Sequence, residues 1–206
     1  MITAGNNEPV GATAMERYSH WFCEAYQQPL QRQRYLRKLI EKKPISGANF
    51  RLAHLLLDKN ISNIVVTTNF DDFLSRALTL FGKQHIVCDH PRTVERIDTE
   101  QDDIQIVHMH GTYWFYDCCN LKEEIEARSD VSQQTSLTMS ALLDDIMRRH
   151  SPIIIGYGGW EGDAVMAALK RRIENTLPYN IYWFVINGKI WNCCQLGLKI
   201  TDRFIL

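Results

Sequence analysis

The sequence has almost no charge imbalance. Its 23 lysines and arginines face 24 aspartates and glutamates, a formal net charge of -1. That excludes the strong positive excess of a nucleic-acid-binding domain, so no direct nucleic-acid partner is expected. No apolar run approaches 18 residues, and no membrane span is predicted. The N-terminus lacks the basic-then-apolar pattern of a secretory leader. Six cysteines are present without a single C-x-x-C pair, so zinc-ligand spacing is missing and no metal site is expected. Cys118-Cys119 and Cys193-Cys194 are direct neighbours, which bridge poorly. They read as reduced thiols, and the expected location is cytoplasmic. Internal repeats and low-complexity tracts are also absent.

What remains is an ordinary globular composition, 45% hydrophobic and 23% charged over 206 residues, enough for one domain with a sizeable core. Met15 to Lys43 has helical character with Pro29 as a break or kink, and Leu36, Leu39 and Ile40 form an apolar stripe. Arg32, Arg34, Arg37, Lys38, Lys42 and Lys43 read as a solvated helix face rather than a phosphate site. A second helix is predicted over 46–58, with Phe50, Ala53, Leu56 and Leu57 as its buried face. The pattern then alternates. Strands are predicted at 64–66, 86–88, 104–109, 152–155 and 181–186, and helices at 70–81, 136–150 and 160–177. A charged segment at 120–128 reads as a helix or lid. Continuous apolar strands alternating with helices indicate an α/β fold, a Rossmann-like parallel sheet with helices on both faces. Ligands of such sheets bind at the C-terminal strand ends.

Three predicted strands end in polar or glycine-rich groups: Thr67-Thr68-Asn69, His108-Met109-His110-Gly111 and Gly156-Tyr157-Gly158-Gly159. In a parallel sheet all three would share one edge. Asp72 reads as a helix cap. Carboxylates at that helix start argue against phosphate and for the sugar and base end of a nucleotide, which makes Asn69 a ligand candidate. His108 and His110 lie two apart on a strand, so both are expected to point to one face. A two-histidine metal site lacks a third ligand, whereas an imidazole with a pKa near 6.5 suits a general base. Gly111 leaves room for close backbone approach. Gly156, Gly158 and Gly159 serve either tight turning or a bare backbone beside a dinucleotide, although their spacing is not G-x-G-x-x-G. Asp163 is either a helix-dipole partner or a ribose ligand. Trp160 is either a base-stacking ring or a core anchor.

The stretches TTNFD (Thr67–Asp71), HMHG (His108–Gly111) and GYGGWEGD (Gly156–Asp163) resemble, in order, the signatures of SIR2-like domains of bacterial anti-phage defence proteins, relatives of the sirtuins. The resemblance covers about residues 35–187. It implies hydrolysis of NAD, the substrate, to ADP-ribose and nicotinamide. It places Asn69 and Asp71 beside the scissile bond and makes His110 the general base. It assigns Thr67, Thr68, Gly111, Gly156, Gly158 and Asp163 to NAD binding. Without paired C-x-x-C motifs the chain is not expected to be a zinc-containing deacylase. Members normally begin with a strand and a G-A-G-x-S loop, while residues 1–16 offer only AGNNEPVGA. The first strand and the glycine-rich loop are therefore expected to be lacking, and activity to be weak. The expected division is an irregular lead-in at 1–16, a SIR2-like Rossmann domain at 17–187 and a short extension at 188–206. Homo-oligomerisation, and a sensor or partner domain outside this chain, are implied by the resemblance alone. The alternatives are a non-catalytic module binding NAD, ADP-ribose or another protein, and a nucleotide-binding domain of different chemistry on the same fold.

Overall fold

The computed structural model describes residues 13–58, 61–115, 121–123, 139–159, 163–173 and 180–184. The lead-in at 1–12, residues 124–128 of the charged segment, Trp160 and the extension at 188–206 lie outside the described residues. Contacts divide the chain into two units, 1–125 and 126–206.

In the first unit, Thr13 and Glu16 form a reciprocal capping box that starts helix α1 (Ala14–Ala25). Pro29 does not kink a longer helix. It occupies the first turn of a separate one, α2 (Pro29–Ile40), where its missing N–H costs nothing. The buried positions of α2 are Arg32 and Gln33, while Leu39 is 44% exposed. Arg32 thus leaves the expected solvated face. Its guanidinium donates to the carbonyls of Tyr26 (3.0 Å) and Gln27 (3.1 Å) just past the end of α1. Ser46 caps α3 (Gly47–Leu56) by accepting from the Asn49 N–H at 3.2 Å.

Strand β1 (Ile64–Thr67), helix α4 (Phe73–Leu80), strand β2 (His85–Cys88), a 3-10 turn at Pro91–Arg96 and strand β3 (Ile104–His108) follow. The sheet is parallel in the order β1-β3-β2. All five residues of the central strand β3 are buried, so both of its faces are covered. Ile104 and Ile106 pack with Ala53 and Leu56 of α3 and Ala77 and Leu78 of α4, flanked by Phe50, Val65 and Leu74. Each such large apolar side chain stabilises the fold by about 1.5–3 kcal/mol on burial. Leu57, placed by periodicity on the buried face of α3, is 36% exposed. Gln105, pointing between these positions, is fully buried and spends its amide on the Asp98 backbone, donating to its carbonyl (2.6 Å) and accepting from its N–H (3.1 Å).

In the second unit, α5 (Met139–Arg149), β4 (Ile153–Ile155), α6 (Ala164–Ile173) and β5 (Tyr182–Phe184) are described. The two strands pair in parallel. Met139, Leu143 and Met147 form a buried stripe four residues apart on α5, and Met166, Ala168 and Leu169 are buried on α6. Arg171 grips Asp144 with a two-pronged ion pair at 3.1–3.2 Å. The fold is mixed α/β, with parallel sheets and helices, consistent with a Rossmann-like architecture.

Candidate functional site

The site is built where β1 and β3 end side by side. Thr67 and His108 are register partners, and the Met109 N–H extends the ladder to the Thr67 carbonyl at 3.0 Å. Because the strands are parallel, the loops that follow leave from the same edge. They are then joined by further bonds. The Asn69 N–H donates to Thr67 Oγ1 (3.1 Å), turning the chain sharply. The His108 ring donates from Nδ1 to the Asn69 carbonyl at 3.0 Å, a direction fixed because a carbonyl only accepts. The Tyr113 N–H donates to the Phe70 carbonyl at 3.0 Å. These bonds explain why residues 70–72, expected to be helical, are loop: their backbone is held by the neighbouring loop.

Asn69 is exposed, and among the described residues its carboxamide has no hydrogen-bond partner. Asp71 is half-buried, and its Oδ1 accepts from the Phe73 N–H at 3.1 Å. It therefore does the capping expected of Asp72, which stands at the helix start without a side-chain cap bond. Asp72 instead accepts from the Tyr113 phenol at 3.2 Å and lies 3.8 Å from Arg76. Burial pushes the Asp71 carboxyl up from its ordinary pKa, against the opposing pull of its cap bond and of His108. Burial pushes His108 down, against the Asn69 carbonyl and the charges of Asp71, Asp89 and Asp72.

Strand β3 stops at His108, and residues 108–111 turn, with the Gly111 N–H donating to the His108 carbonyl at 3.2 Å. The two-residue alternation that would place His108 and His110 on one face therefore does not extend to His110. Gly111 has φ +80°, a left-handed conformation that costs a side-chain-bearing residue roughly 1–2 kcal/mol. His110 is 8% exposed. Thr67, Asn69, Asp71, His110 and Gly111 are thus gathered on one pair of cross-linked loops, with the half-buried Thr68 between Thr67 and Asn69. Sequence reasoning missed His108 as the loop's anchor, and Tyr113 and Gln33 altogether. The Gln33 side chain, from α2, donates to the Tyr113 carbonyl at 2.6 Å, and nothing in its helical spacing signals that partner.

Gly156, Gly158 and Asp163 belong to the second unit, between β4 and α6. Among the described residues, a Cβ at Gly156 or Gly158 would meet nothing within 4 Å. Asp163 is buried, and its carboxylate accepts from the Tyr157 phenol (2.8 Å) and the Val165 N–H (3.3 Å). Its role as partner of the α6 N-terminus is therefore realised. Trp183 donates from Nε1 to the Tyr157 carbonyl at 3.2 Å and stacks on the Tyr157 ring. Among the described residues, no group of three His, Cys, Asp or Glu side chains is arranged to hold a metal ion, and no helix is long and apolar enough to cross a membrane.

No curated protein matches the chain. The sequence profile of the SIR2-like domain matches residues 63–192, well over half of the chain, and its span takes in both the 67–72 and 108–113 loops and the 156–163 segment. The chain belongs to the SIR2-like domain family, whose fold is associated with NAD.

Proposed function

We propose that this domain hydrolyses NAD to ADP-ribose and nicotinamide, in the cytoplasm and as part of anti-phage defence. The observation that carries the reading is the pair of cross-linked strand ends. There an exposed carboxamide at Asn69, a partly dehydrated carboxyl at Asp71 and an imidazole at His110 all lie within four residues of the register pair Thr67 and His108.

The chemistry of the N-glycosidic bond asks for these groups. When the bond breaks, its electron pair leaves with the nicotinamide ring and positive charge develops on the ribose C1′. The Asp71 carboxylate stabilises that charge, more strongly for being partly shielded from water. Asn69 orients the nicotinamide carboxamide or the attacking water. Water adds to C1′ and gives up one proton, which His110 takes directly or through a ribose hydroxyl, an effect worth about 10²–10⁴ in rate. Thr67, Thr68 and Gly111 line the ribose end. Gly156, Gly158 and Asp163 are assigned to the adenosine half on the strength of the family resemblance. Self-association and a sensing partner belong to the same proposal.

The test is nicotinamide release from NAD by the purified protein. Wild type is expected to release it, and Asn69→Ala or His110→Ala to slow release by about 100-fold or more. Calorimetric NAD binding without release would replace hydrolysis by a binding module. Undiminished release in both variants would reject the site.

A further inference from the structure

We propose that Tyr113 is a positioning residue, which clamps the loop carrying His110 onto the loop carrying Asn69 and is itself set in place by Gln33. The proposal rests on the hydrolase reading for its consequence and on geometry for its existence.

Tyr113 is 1% exposed, and its three polar groups are bound to two residues of the 70–72 loop and to α2. Its N–H donates to the Phe70 carbonyl, between Asn69 and Asp71, at 3.0 Å. Its phenol donates to Asp72 Oδ2, at the start of α4, at 3.2 Å. Its carbonyl accepts from the buried Gln33 side chain of α2 at 2.6 Å. One residue therefore ties three elements together within three positions of His110.

The phenol has no substitute. It is the one hydrogen-bond donor to the Asp72 carboxylate among the described residues. The other carboxylate oxygen is buried without a hydrogen bond, with Arg76 at 3.8 Å. Burial and the neighbouring Asp72 charge raise the phenol pKa well above the ordinary value, so it remains a donor at every working pH.

His110 thus sits between two fixed points. Before it the Met109 N–H is bound to Thr67, and directly after it the Gly111 N–H closes the turn onto His108. Further along, Tyr113 is the second point. Losing the phenol bond loosens the second point and shifts the turn, and a displacement of about 1 Å at a reacting group can cost about 10²-fold in rate. A general base out of place lowers kcat while leaving substrate affinity largely intact.

The experiment compares Tyr113→Phe, Asp72→Ala, Asp72→Asn and the Tyr113→Phe/Asp72→Ala pair in nicotinamide-release kinetics. The His110 ring resonances are followed in parallel by NMR. Tyr113→Phe and Asp72→Ala are each expected to lower kcat about 10-fold with KM within about twofold. The pair should be no worse than either alone, because both remove one bond. Asp72→Asn keeps an acceptor for the phenol and should stay within about threefold of wild type. The His110 resonances should move in the first two variants and stay in place in Asp72→Asn. If wild type releases no nicotinamide, the hydrolase reading fails, and the resonances alone decide the clamp. Unmoved His110 resonances in Tyr113→Phe, or additive losses in the pair, overturn it.

Discussion

His108 shows what a single hydrogen bond decides at this site. Its Nδ1–H is committed to the Asn69 carbonyl and its ring is buried, so the neutral form is favoured. The folded pKa lies below the unfolded value of about 6.5, and the unfolded chain takes up the proton first as pH falls. Stability contributed by neutral His108 is therefore full above that value and is lost below it, at up to about 1.4 kcal/mol per pH unit. Asp71 acts in the opposite sense. Its raised carboxyl binds a proton in the folded state before it does in the unfolded one, so lowering pH through that window favours folding. Urea midpoints of wild type and His108→Gln, which keeps a donor for the Asn69 carbonyl, should diverge between pH 7 and 5.5, with the variant losing less. Superimposable profiles would contradict the account. The placement of Asn69 and His110 just past two strand ends was legible in the sequence because polar residues at the end of an apolar strand stand out. His108 was not, since its role depends on the strand stopping at that residue, which alternation cannot reveal.

At the scale of elements, periodicity located most helices and strands, because apolar spacing reports packing directly. It failed on α2. There the expected Leu36, Leu39 and Ile40 stripe yields to Arg32 and Gln33, whose buried positions are set by carbonyl groups at Tyr26, Gln27 and Tyr113. Such partners are remote in sequence or lie in turns, and no helical pattern encodes them. Charge clustering likewise concealed the structural task of Arg32. The turn after β4 offers an element-scale prediction. Gly159 has φ +74°, and a Cβ there would lie 3.3 Å from the Trp183 ring and 3.6 Å from Met166 Sδ. Gly159→Ala should cost about 1–2 kcal/mol from backbone strain, before any crowding. Gly158→Ala meets nothing among the described residues and should leave the melting midpoint within about 1 °C, since about 1 kcal/mol corresponds to a few degrees at this size. If Gly158 approaches the adenosine half, that same variant weakens NAD binding without destabilising the fold. Equal melting losses for both glycines would count against this reading of the turn.

For the whole molecule, parallel pairing is the feature that turns scattered motifs into a site. It sends the ends of β1 and β3 to one edge, and the bonds from Met109, His108 and Tyr113 fasten the two loops together there. The α/β class was legible from apolar strands alternating with helices and the family from three short motifs in order; the cross-links between the loops were not, because each joins residues about 40 positions apart. The most direct measurement is a crystal structure of the His110→Ala variant soaked with NAD. The nicotinamide carboxamide is expected within hydrogen-bonding distance of the Asn69 side chain, with a ribose hydroxyl facing position 110. NAD bound with its nicotinamide end away from both residues would contradict the account.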